Sequence, residues 1–106
     1  MRGPESRLTK KILDVLNRIP RTKAIKLHGS RYSVAGTPDL LVVSDGKALL
    51  LEVKTASGRT TPIQDVQLRQ WREAGALVAT VRSVDDAVDV VLAPTLEDVE
   101  SFADRY

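Results

Sequence analysis

The chain has 106 residues, 42% hydrophobic and 28% charged, the profile of one globular domain, large enough to bury a core and too small for two. It contains no cysteine, which excludes disulfide frameworks and thiolate metal centres, and its apolar runs, Ala48 to Leu51 among them, are far too short to span a bilayer. With Arg2 and Glu5 where a secretory leader would hold its apolar centre, the expected setting is intracellular and cytoplasmic, with no membrane attachment.

The net charge of +2 conceals an asymmetry. Residues 1 to 31 carry nine Lys/Arg against Glu5 and Asp14, whereas residues 83 to 106 carry Arg105 against seven acidic residues. A basic N-terminal third that includes Lys23, Lys26 and Arg31 suits contact with a phosphate backbone; a solvated helix face with a charged loop is the alternative reading. The acidic C-terminal segment is expected to face away from a polyanion.

Taken in chain order, residues 4 to 19 read as a helix. Pro4 suits a first turn, Leu8, Ile12, Val15, Leu16 and Ile19 recur at helical spacing, and Pro20 stops it. Glu5 lies at one end of that stripe, where its carboxylate either meets the core face or complements the helix N-terminal dipole. Residues 20 to 37 are polar and irregular, a strand or loop leading into the next unit. Residues 38 to 44 and 47 to 54 then read as two strands joined by Asp45-Gly46, a tight hairpin turn. Leu40, Val42, Leu49 and Leu51 fall on one face of this hairpin, and Leu41, Val43, Ala48 and Leu50 on the other. Strands apolar on both sides are expected to be covered on both.

Thr61-Pro62 opens a second helix, ended near Ala74 by Gly75, with Trp71 on its apolar stripe and therefore expected in the core. Residues 77 to 82 form a further strand, parallel to the second hairpin strand because a helix joins the two. Ser83 with Asp86 marks the start of a helix over residues 84 to 92, and Thr95 with Asp98 that of a short terminal one. The expected fold class is α/β: a single domain over residues 1 to 106, with a small mixed β-sheet and helices on both faces.

The hairpin register sets Asp39 opposite Glu52. Directly opposed side chains have Cβ atoms about 4.5 to 5.5 Å apart, and like charges there are destabilising. A hard divalent cation such as Mg²⁺, commonly held by one or two carboxylates, is the natural compensation. Strand alternation puts Lys54 on the same face; its simpler role is to neutralise Glu52. Arg31, Tyr32, Arg59 and Thr60 border this face and can contact phosphates.

These residues carry a resemblance. Pro38-Asp39 followed by Glu52-Val53-Lys54 resembles the PD-(D/E)xK nuclease signature. Its surroundings are similar to the VRR-NUC (virus-type replication-repair nuclease) branch: Glu5 in the first helix, Lys26-Leu27-His28-Gly29 and Tyr32 before Gly36-Thr37-Pro38-Asp39-Leu40, Gly58-Arg59-Thr60-Thr61-Pro62-Ile63-Gln64 after Lys54, and Ala74-Gly75 and Val81-Arg82-Ser83-Val84-Asp85-Asp86-Ala87 around the later strand. The similarity runs over about residues 5 to 92 and leaves 93 to 106 as a helical extension.

The resemblance implies a restriction-endonuclease-like core and a metal-dependent endonuclease that hydrolyses DNA phosphodiester bonds. It implies that Asp39 and Glu52 bind one or two Mg²⁺ or Mn²⁺ ions, with the Val53 carbonyl as a further ligand and Glu5 near the same metal. Lys54 then serves as catalytic cation. It also implies a homodimer acting on branched DNA such as four-way junctions. Gln64 matches a supporting glutamine of the family, but as the third residue after Thr61 it also fits a capping box, and Gln67 competes from the apolar stripe of the same helix. His28 is either a solvated loop residue or a DNA contact, alongside Lys26, Arg31, Tyr32, Arg59 and Thr60. The alternatives are a nucleic-acid-binding module of the same fold without catalysis, and a structural or regulatory α/β protein in which Asp39 and Glu52 are exposed strand-end charges.

Overall fold

The computed structural model describes residues 3–27 and 34–93. Four strands, β1 (Thr22–Lys26), β2 (Leu40–Ser44), β3 (Lys47–Val53) and β4 (Leu77–Val81), form one sheet in the order β1-β2-β3-β4. The β2 and β3 strands pair antiparallel with Ser44 opposite Lys47 and Leu40 opposite Leu51. Asp45 (φ 47°) and Gly46 (φ 82°) both take positive φ, the conformation that a two-residue turn needs to follow strand twist. That turn is clasped from below, since the Asp45 N–H donates to the Arg21 carbonyl at 3.0 Å and the Arg21 Nε to Asp45 Oδ1 at 3.0 Å. The β3 and β4 strands run parallel, with Glu52 beside Thr80, as the connecting helix requires.

Helix α1 (Pro4–Leu16) is shorter than the expected 4 to 19. Asn17 ends it: its side chain accepts the Ala24 N–H at 2.8 Å and donates to the Ala24 carbonyl at 3.0 Å, turning the chain directly into β1. Of the strand and loop alternatives left open for residues 20 to 37, the chain takes the strand, β1, over Thr22–Lys26. It is an edge strand in which Ala24 alone is buried, so it carries almost no apolar alternation to detect.

Ile12 and Leu16 of α1 and Ala87, Val90 and Val91 of α3 (Val84–Leu92) pack on Leu40, Val42, Leu49, Leu51 and Val53 to form the core. Each such side chain stabilises the fold by about 1.5–3 kcal/mol. The Ser83 hydroxyl caps α3 by accepting the Asp86 N–H at 3.0 Å. The expected second capping pair, Thr95 with Asp98, lies outside the described residues.

The opposite face departs from expectation. Helix α2 (Pro62–Glu73) buries Leu68 there, beside the buried Val78 of β4. Leu41 and Leu50 stay half-buried, and Val43 and Ala48 are exposed. Trp71 is 41% exposed rather than in the core; it borders an apolar groove with Leu27, Pro38, Leu41 and Leu50. Because α2 lies against β4 and not across the hairpin, one face is fully covered and the other in part. Among the described residues no helix is long and apolar enough to cross a membrane.

Candidate active site

The half-open face ends in polar chemistry. Strand alternation continues Ala48 and Leu50 into Glu52 and Lys54, and the register of β2 and β3 brings Asp39 alongside Glu52. The pair is tied into the backbone: Asp39 Oδ2 accepts the Val53 N–H at 2.8 Å, and the Asp39 carbonyl accepts the Leu27 N–H at 2.8 Å. Lys26, at the end of β1, is exposed next to this crossing.

Glu52 is 1% exposed. Gln64, in the first turn of α2, points Nε2 at Glu52 Oε1 at 3.5 Å, while Glu52 Oε2 is buried without a hydrogen-bond partner. A buried, partnerless carboxylate oxygen is costly. Burial pushes the Glu52 carboxyl up to about 9, helped by hydrogen bonding and charge from Asp39 and by Glu5, and opposed by Lys54. Two adjacent carboxyls, one of them with a buried oxygen that no N–H or O–H donor satisfies, are the donor set that fits a hard divalent cation.

Gln64 caps its helix and also faces Glu52. The Gln64 N–H donates to Thr61 Oγ1 at 3.2 Å, and Gln64 Oε1 accepts the Thr61 N–H at 2.9 Å, a complete capping box that leaves Nε2 for Glu52. Gln67 loses its supposed setting, because Ile63, Val66 and Trp71 of that stripe are exposed. Gly36 brings the Asp39 segment against this same turn. Its φ is 81°, and a Cβ there would lie 2.8 Å from the Ile63 carbonyl oxygen, so the close approach requires glycine.

Lys54 is buried at the end of β3, and its Nζ lies 3.5 Å from Glu5 Oε1. Glu5 thus reaches the site from α1 as the partner of Lys54, while its charge is felt at Glu52. Among the described residues no three His, Cys, Asp or Glu side chains converge closely enough to cage a metal. Asp39 and Glu52 are therefore the pair that could hold one, with the backbone of Val53 at its border. Arg59 and Thr60 follow on the β3–α2 loop; the Thr60 hydroxyl donates to Asp65 Oδ1 at 2.5 Å. His28, Arg31 and Tyr32 lie outside the described residues.

Comparison with solved structures gives this arrangement a setting. One structure described as a VRR_NUC domain matches with a TM-score of 0.70 and 26% identity over 86% of this chain and 97% of its own. The fold is that of a VRR_NUC domain. A second structure, described as a VRR_NUC domain protein, matches with a TM-score of 0.66 and 18% identity over 86% of this chain and 88% of that one. Hjc, a Holliday junction resolvase from the archaeal hyperthermophile Archaeoglobus fulgidus, matches with a TM-score of 0.58 and 22% identity over 74% of this chain and 67% of its own. No family model and no curated protein matches the sequence. The small mixed sheet with helices on both sides is thus a restriction-endonuclease-like core of the VRR_NUC type.

Proposed function

We propose that this VRR_NUC domain is a metal-dependent endonuclease that hydrolyses phosphodiester bonds in DNA. The observation that carries the reading is the Asp39–Glu52 pair, with Glu52 buried and one of its oxygens partnerless, flanked by Lys54 and Gln64. The VRR_NUC and resolvase neighbours support it through the shared fold.

Asp39 and Glu52 would hold Mg²⁺ or Mn²⁺. When bound, the ion supplies Lewis-acid polarisation of the scissile phosphate and a lower pKa for an attacking water. Hydrolysis forms a bond from water oxygen to phosphorus, breaks the bond to the departing sugar oxygen, and returns a proton to that oxygen. The protein's part is positional and electrostatic. To act as a ligand Glu52 would have to give up its proton, and Gln64, itself fixed by the Thr61 cap, would hold the carboxylate in one orientation. Lys54, buried and restrained by Glu5, is a preorganised cation for the negative charge that grows on the phosphoryl oxygens.

Branched DNA such as a four-way junction is the proposed substrate, and a homodimer the proposed assembly, since paired nicks across a two-fold junction call for two centres. The rival reading is a nucleic-acid-binding module of the same fold without catalysis. Cleavage assays on duplex, single-stranded, flap and four-way-junction DNA with Mg²⁺ or Mn²⁺ separate the two. The expected result is metal-dependent nicking, strongest on the junction, that Lys54→Ala reduces by about 10²–10³-fold. Wild-type cleavage by Lys54→Ala would sink the mechanism, and junction binding that is indifferent to EDTA and never followed by nicking would favour the binding module.

A further inference from the structure

The loop between β3 and α2 starts directly after Lys54, and its course is fixed from outside. Arg82, the residue after β4, turns its guanidinium onto it. Nη1 donates to the carbonyls of Thr55 at 2.8 Å and Ala56 at 3.4 Å and also reaches that of Gly58. Arg82 is held in turn, its backbone N–H donating to Asp86 Oδ2 at 3.0 Å, in the first turn of α3. At the far end of the loop, Thr60 is fastened to Asp65 of α2. Anchors therefore stand on both sides of a single residue, Arg59. Its side chain is exposed and has no ion-pair partner among the described residues. The loop walls an open cleft of about 630 Å³ whose lining includes Arg59, Asp65 and Arg82. The carboxylate pair does not itself line this cleft; the link between them is the loop, whose first residue follows Lys54 directly and whose last leads into the helix that carries Gln64.

We propose that Arg82 is a positioning residue, which presets the β3–α2 loop so that Arg59 meets a DNA backbone phosphate beside the scissile one. The proposal rests on the nuclease reading. Three carbonyl dipoles gathered on the Nη1 of one guanidinium make a hub that holds the loop. A loop ordered in advance loses little freedom when it binds, which raises affinity without any contact from the hub itself. The cation nearest the loop thus shapes it, and the cation beyond it touches DNA.

The test is a double-mutant cycle on binding of a fluorescein-labelled four-way junction in Mg²⁺, in the Lys54→Ala background, joined to amide hydrogen exchange of the free protein. Arg82→Ala is expected to weaken binding roughly 3- to 10-fold while Arg59 is present and to have little effect once Arg59 is alanine, the non-additivity of coupled residues. Exchange over residues 56 to 60 is expected to quicken in free Arg82→Ala. Additive losses would make Arg82 a phosphate contact in its own right and overturn the proposal, as would unchanged exchange over the loop. If the parent protein binds no DNA at all, the nuclease reading falls, while the exchange arm still decides whether Arg82 braces the loop. Should Arg82→Ala fail to fold, Arg82→Lys, which keeps the charge and loses the fork, runs through the same cycle.

Discussion

Glu52 concentrates the tension in this site. The unfolded chain releases its proton near 4.5, whereas burial and Asp39 keep it bound in the fold up to about 9. Between those values the folded state binds the extra proton. The stability linked to Glu52 is therefore fully present below about 4.5 and is lost as pH rises through about 9. Thermal melts of the metal-free protein should show Tm falling across that window, and Glu52→Gln should flatten the dependence. An unchanged slope in Glu52→Gln would place the responsible group elsewhere. If the pair takes up a cation as proposed, that loading would release this proton at neutral pH. Lys54 differs in kind: it is buried, and its Nζ is held in place 3.5 Å from Glu5 Oε1.

At the scale of elements, the hairpin was the most legible part of the chain. Asp45-Gly46 specifies a turn that fixes its own register, so the meeting of Asp39 with Glu52 follows from counting along two strands. The capping residues Thr61 and Ser83 were equally readable, because a cap is a local interaction. Less readable were features decided by neighbours distant in sequence. The β1 strand owes its existence to the backbone of β2 and to the Asn17 clasp, and its own side chains scarcely advertise it. Gln64 was favoured over Gln67 on the resemblance alone, and only the folded chain shows it facing Glu52; the bonds from Arg82 to the β3–α2 loop likewise needed the closed fold. Gly36 belongs to this second group, since its need for glycine arises from the Ile63 carbonyl. Gly36→Ala places a side chain at positive φ, at about 1–2 kcal/mol, and against that carbonyl. A lowered Tm with a greater loss of kcat than of DNA affinity is expected, because the shift reaches Glu52 through Gln64; wild-type kcat and Tm would show that the contact positions nothing.

Across the whole molecule, the layers are unequal. One sheet face is sealed by α1 and α3, and the other is only part-covered by α2, with Trp71, Val43 and Ile25 reaching solvent. Apolar residues on both strand faces suggested two closed layers; strand alternation records which side a residue takes and not whether a helix arrives to cover it. In the monomer, Trp71→Ala should cost well under the 3–5 kcal/mol of a buried tryptophan, about 1.5 kcal/mol or less, as measured by urea denaturation at low protein concentration. A full core-sized loss would mean that the groove closes in solution. The charge is layered too, with the basic N-terminal third and the acidic last segment at opposite ends of the sequence.

The bond from the Val53 N–H to Asp39 Oδ2 ties a candidate metal ligand into the strand pairing itself. A slip of one residue between β2 and β3 would turn every side chain of a strand to the wrong face and part Asp39 from Glu52 in the same motion. The candidate site and the folded core then share one lock, so the proposed cutting centre would come together only once the sheet is correctly zipped.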